Sequence, residues 1–137
     1  MGRFAVEFEV ANDLDVALAK AGALKAEKVR RTTIRGTVDS GAAFLVLPKH
    51  VADELGLPKA RKVKVRYADR RSALRDVVER VHVRILDRSG TFTAVVEPRR
   101  KDALIGAILL EAFDLLPDCT HQRLIPRDPR YITAEIE

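Results

Sequence analysis

The sequence predicts a mainly β, barrel-like domain with two or three short helices. Runs of period-two alternation recur along the chain, and turn-forming clusters separate them at short intervals. The chain has 137 residues, 47% of them hydrophobic, which suits one domain with a real core.

The first run, Phe4-Ala5-Val6-Glu7-Phe8-Glu9-Val10, places Phe4, Val6, Phe8 and Val10 on one face of a half-buried strand. Asn12 and Asp13 are helix-capping residues, so Leu14 to Lys20 reads as a short helix stopped by Gly22. Val29 to Val38 is again strand-like and ends in Asp39-Ser40-Gly41. Ala42 to Leu47 is apolar and predicts a buried strand. Pro48 then opens a short helix, Lys49 to Leu55, closed by Gly56. Lys62 to Tyr67 alternates, Ala68 to Arg71 turns, and Leu74 to Leu86 alternates again. Arg88-Ser89-Gly90 predicts a hairpin turn, with Thr91 to Val96 as the return strand. Leu104-Ile105-Gly106 precedes a helix over Ala107 to Leu115. Gln122 to Ile125 is a last strand, and the tail's Tyr131 to Ile136 has a strand pattern.

Several function classes are disfavoured. Lys and Arg total 25 against 20 Asp and Glu, a net +5, which invites a nucleic-acid partner. The cations are scattered, however, and aromatics are 5% with no Trp, a poor supply for base stacking. No apolar run reaches membrane-spanning length, and the first residues lack a secretory apolar segment. The one cysteine, Cys119, excludes an intrachain disulfide, and the expected compartment is the cytoplasm. His50, His82 and His121 lack metal-ligand spacing, so no metal and no cofactor is expected.

The stretch richest in chemistry is Thr37 to Pro48. An acid, a small hydroxyl residue and a glycine lie between two apolar segments. Asp-Ser-Gly is also an ordinary turn tripeptide, but a surface turn is not normally flanked by β-formers on both sides. A carboxylate at the end of a buried strand needs donors. Gly41, with no Cβ, allows close backbone approach and an N–H aimed at the acid. Ser40 would brace the loop, and Ala42 would pack beneath it.

Val38-Asp39-Ser40-Gly41-Ala42, with Phe44 to Pro48 after it, resembles the active-site motif of retroviral-type (retropepsin-like, clan AA) aspartic proteases, in their prokaryotic single-domain form. Tyr67-Ala68-Asp69 resembles the start of that family's flap hairpin, although Arg70 and Arg71 follow where a flap tip usually carries glycine. Leu104-Ile105-Gly106 resembles the apolar-apolar-Gly element beneath the catalytic loop, and Gln122 to Pro126 the closing strand. The resemblance covers roughly residues 29–126, with 11–30 as a helical insertion and 127–137 as a tail of one domain, 1–137.

It implies an aspartic endopeptidase with Asp39 as its catalytic residue. The chain has no second Asp-Ser/Thr-Gly, and the reaction needs two carboxylates sharing one proton. The resemblance therefore implies a homodimer, each chain holding half a site, acting on an extended peptide. The other reading is a catalytically silent peptide- or protein-binding dimer of the same fold.

Overall fold

The computed structural model describes residues 3–137. Nine strands, three α-helices and one 3₁₀ turn follow one another. They are β1 (Phe4–Asn12), α1 (Asp13–Lys20), the 3₁₀ turn (Ala26–Lys28), β2 (Arg31–Val38), β3 (Leu45–Pro48), α2 (Lys49–Glu54), β4 (Lys59–Arg66) and β5 (Ser72–Ile85), then β6 (Arg88–Glu97), β7 (Ala103–Ile105), α3 (Ala107–Phe113), β8 (Leu115–Asp118) and β9 (Arg123–Pro126).

Six strands close into a barrel in the order β1-β2-β7-β3-β6-β5, because β5 also pairs with β1. Closure rests on the inner end of β1. Glu9 to Ala11 meet Thr33 to Arg31 of β2 on one side and Arg84 to His82 of β5 on the other. A closed sheet removes the exposed edges that invite aggregation. β5 serves two neighbours by bending. Its first half, 72–78, pairs with β4 and its second half, 81–84, with β1. Between them the register with β6 shifts at Val78/Val81, and Arg80 sits at φ +62°, which marks a β-bulge. The β4–β5 hairpin therefore leaves the barrel wall as a projecting ribbon, and β4 keeps one edge unpaired.

The core fills the barrel with Val10, Leu47, Val81, Val83, Ile105 and Leu109, all fully buried. α2 and α3 cover it with Val51, Leu55, Leu110 and Phe113. Gly36 on β2 is needed for this packing. A Cβ there would stand 2.6 Å from the Phe8 ring and 3.0 Å from the end of Ile105.

α1 follows its capping signals. The Asn12 side chain accepts from the Asp15 N–H and donates 2.9 Å to the Leu55 carbonyl, tying α1 to the end of α2. Asp15, nearly buried, takes Arg30 Nε at 2.8 Å and the Arg30 backbone N–H at 3.0 Å. Gly22 (φ +80°) and Gly56 (φ +62°) adopt the left-handed conformation at the ends of α1 and α2.

Five sequence expectations need correction. Ala42 to Phe44 are not strand. Their chain runs exposed or half-buried because the Ala42 and Ala43 carbonyls turn to accept the first N–H groups of α3. The β5–β6 turn is Leu86-Asp87, with Leu86 at φ +57°, and Arg88 to Gly90 belong to β6. Arg88 is buried, its guanidinium donating to the carbonyls of Phe113, Asp114 and Asp128, which fixes the strand start there. α3 ends at Phe113 because Asp114 is left-handed at φ +55°. Leu115 then opens β8, a strand the sequence patterning did not indicate, paired antiparallel with β9. Tyr131 to Ile136 form no strand; the segment is held by single bonds, such as Thr133 N–H to Asp114 Oδ2 at 3.0 Å.

Gly106 caps α3 with ordinary φ of −97°, so its role is steric. A Cβ there would lie 2.7 Å from the Phe44 carbonyl oxygen and 2.8 Å from that of Ala42. Gly106→Ala should therefore destabilise the domain by about 1–3 kcal/mol, the usual cost of overpacking, measurable as a lowered urea midpoint. Asp15 supplies a pH test. Its carboxyl is held below the ordinary value, first by the Arg30 side-chain hydrogen bonds. The stability it contributes is present above the usual Asp range, about pH 4, and is lost as pH falls through the lowered folded value. Asp15→Asn should be less stable than wild type at pH 7, with the gap closing toward pH 3 in urea titrations.

Candidate active site

Asp39 is the first residue beyond β2. Its backbone N–H donates 3.0 Å to the Ile105 carbonyl, which continues the parallel β2–β7 pairing one step past the strand. Its own carbonyl accepts the Ala42 N–H at 3.1 Å, closing a tight turn through Ser40 and Gly41. Inside that turn the Gly41 N–H donates 3.0 Å to Asp39 Oδ1. A Cβ on Gly41 would come 3.3 Å from the same oxygen, so glycine leaves the carboxylate its closest approach.

Leu104, Ile105 and Gly106 lie directly beneath. β7 sits between β2 and β3, with Leu104 opposite both Thr37 and Val46. It thus joins the strand before Asp39 to the strand after it. From Gly106 the chain enters α3, whose Ala107 and Ile108 N–H groups donate to Ala42 (2.8 Å) and Ala43 (3.0 Å). Loop 39–44 is therefore held at both ends by backbone bonds to one short segment, 105–108.

The carboxylate opens onto a depression of about 340 Å³ lined by Arg3, Phe4, Val38, Ser40, Gly41, Pro117 and Cys119. Its side chain is 20% exposed, and Arg3 Nη2 stands 3.4 Å from Oδ2. The sequence carried no signal for Arg3, which reaches the acid only because β1 runs antiparallel to β2 with Phe4 opposite Val38.

Tyr67, Ala68 and Asp69 form the tip of the projecting hairpin. The Tyr67 N–H donates to the Arg71 carbonyl and the Arg70 N–H to that of Tyr67, both at 2.9 Å. Arg70 takes φ +73°, so an arginine occupies the left-handed position that glycine would fill without strain. Asp69 receives Arg71 Nε at 2.6 Å, and that bond lowers its pKa. From the tip the Tyr67 hydroxyl reaches back to 2.6 Å from Glu97 Oε2, and Arg75 Nε donates 2.8 Å to Glu97 Oε1 and 3.0 Å to the hydroxyl. Arg75 and Glu97 were not picked out from the sequence. They meet only through the fold, which a single sequence does not display.

Between hairpin and loop runs a cleft of about 320 Å³. Ala42, Ala43 and Phe44 form one side, and Val63 to Arg66 the other. Val46 and Val95 also line it, with Glu97 beside them. Consecutive residues of β4 line it because that strand presents its unpaired edge. The site residues thus fall into two groups: Asp39 to Ala42 bonded to Ile105 to Ile108, and Tyr67 to Asp69 across the cleft.

The profile of the aspartyl protease family matches residues 25–109. No curated protein matches the chain. Among solved structures, the EIAV protease in complex with the inhibitor HBY-793 superposes with a TM-score of 0.54 at 15% identity, over 81% of this chain and 88% of that one. The retroviral protease-like domain of Ddi1 from Leishmania major gives 0.55 at 16% identity, over 93% and 86%. These likenesses establish a retropepsin-like fold. With a family profile that spans more than half of the chain and contains the Asp39 loop and its β7 brace, the chain belongs to the aspartyl protease family.

Proposed function

We propose that this protein is an aspartic endopeptidase whose active form is a homodimer, with Asp39 of each copy meeting across a twofold axis. The observation that carries the reading is the Asp39 loop. Its carboxylate takes a backbone N–H on one oxygen, is pinned from beneath by β7 and α3, and opens onto the surface. One such loop per chain supplies one carboxylate, and two are required.

In the dimer, two carboxyl groups in contact hold one proton between them, since like charges at that range do not both ionise. The ionised one takes a proton from water as the water oxygen attacks the scissile carbonyl carbon. Asp39 of the partner subunit gives its proton to the carbonyl oxygen. The tetrahedral diol then collapses: the C–N bond breaks, the nitrogen takes a proton from one carboxyl group, and the other oxygen's proton returns to the pair. Arg3, now 3.4 Å from Oδ2, has to give way for the second carboxylate to approach.

The cleft supports a peptide substrate. The free edge of β4 offers backbone donors and acceptors to an extended chain. Val46, Val63, Val65 and Val95 line a recess suited to an apolar side chain. No helix among the described residues is long and apolar enough to cross a membrane, and we place the enzyme in the cytoplasm.

The second reading, a silent peptide-binding dimer, is favoured by one observation: the Arg3–Asp39 ion pair places a cation where the second carboxylate would stand.

Asp39→Asn should lower kcat by roughly 10³-fold or more, the scale of lost acid–base catalysis, in digests of a peptide library over pH 3–8. Equal cleavage by both proteins rules out Asp39 catalysis, and peptide binding with no cleavage by either selects the second reading. Specific activity should fall on dilution as dimers separate. Added Asp39→Asn chains should inhibit the wild type by forming mixed dimers with one carboxylate short; activity proportional to wild-type chains at every dilution and mixture would rule the homodimer out.

A further inference from the structure

The hairpin over the cleft is a two-stranded ribbon beyond the barrel wall, and such ribbons have little stability of their own. Toward its tip, three side chains from three places meet. Tyr67 is the last residue before the tip, Arg75 lies on the return strand β5, and Glu97 ends β6 in the barrel wall. The phenol donates to one carboxylate oxygen at 2.6 Å, the guanidinium Nε donates to the other at 2.8 Å, and the same Nε bonds the phenol oxygen at 3.0 Å. Every pair in the trio is bonded.

The trio is also shielded. The Arg75 and Glu97 side chains are 28% and 15% exposed, unlike the open ion pairs elsewhere on the surface. The Tyr67 ring has two guanidinium groups near it, Arg71 at 5.4 Å and Arg75 at 5.9 Å from its centroid, a favourable cation–π arrangement. Burial first, then the bond to Glu97, raises the phenol's pKa, so it keeps its donor proton through the working pH range. Glu97 lines the cleft with Val63, Val65 and Val95, so the place where the hairpin is tied is also a wall of the recess.

We propose that Tyr67, Arg75 and Glu97 form a latch that fastens the hairpin to the barrel and sets its height above the peptide cleft. They are positioning residues. The latch restrains the hairpin, so the free edge of β4 meets a peptide already aligned, and binding need not order the ribbon first. Because carboxylate and guanidinium satisfy each other, Glu97 presents no unpaired charge to the recess. The kinetic consequence rests on the peptidase reading above; the fastening of the hairpin does not.

The test uses Tyr67→Phe, Glu97→Gln and the double variant, each as the full-length chain. Tyr67→Phe keeps the ring among its guanidinium groups and removes only the hydroxyl. Amide hydrogen exchange across 59–78 should quicken about tenfold in each single variant, the scale of one lost charge-assisted bond, while β1 and β7 keep their protection. In peptide cleavage the loss should fall mainly on KM, about tenfold, rather than on kcat. The loss in the double variant should be smaller than the sum of the single losses, because both substitutions touch the shared Tyr67–Glu97 bond. Unchanged hairpin exchange in both single variants overturns the latch, as does additive loss in the double variant or an equal loss of protection across the whole barrel. If the wild type cleaves no peptide, the peptidase reading fails, and the exchange data alone decide the latch.

Discussion

The arrangement around Asp39 depends on a close backbone approach at Gly106. With hydrogen in place of a side chain, the start of α3 comes near enough for Ala107 and Ile108 to donate to Ala42 and Ala43. One residue earlier, the Ile105 carbonyl holds the Asp39 N–H. These are main-chain bonds, insensitive to side-chain rotamers, and they fix the loop at both ends. The carboxylate is presented by a rigid frame of strand and helix, as a preorganised site needs. Ser40 and Gly41 at the loop's crest are exposed, and the support lies below them.

Much of this was legible from residue order alone. Alternation marked β1, β2, β4, β5 and β6, because one face of each of these strands is less exposed than the other. Helix caps marked α1, since Asn12 does accept from Asp15. The Asp-Ser-Gly tripeptide stood out because apolar strands flank it. What was missed depended on partners distant in sequence. Ser89-Gly90 has turn chemistry, yet buried Arg88 draws that segment into β6 and moves the turn to Leu86-Asp87. Ala42 to Phe44 have strand composition, yet their carbonyls serve a helix sixty residues on. β8 contains a proline and only four residues, too few for a period to show. Arg75 and Glu97 read as ordinary surface charges until the fold brings them within 2.8 Å of one another.

The charges sort the same way. Most ion pairs, such as Lys49–Asp53 and Lys62–Asp76, join exposed ends and contribute little to stability. Three have structural work: Asp15–Arg30 anchors the α1 segment, Arg75–Glu97 ties the hairpin, and Arg127–Asp114 holds the tail to the end of α3. Arg88 is buried with the Asp87 carboxylate 3.9 Å from its Nε, and it spends its other donors on carbonyls, joining the β5–β6 turn to the end of α3 and the tail.

The way the barrel closes has a bearing on synthesis. β1, the earliest of these strands to be synthesised, finds β5 only after some seventy further residues, and β7 enters between β2 and β3 later still. Until residue 105 emerges, β2 and β3 lack the strand that joins them. A nascent chain of that length therefore exposes unpaired apolar strands, a state that favours chaperone capture and slow, late-committing assembly over stepwise folding from the N-terminus.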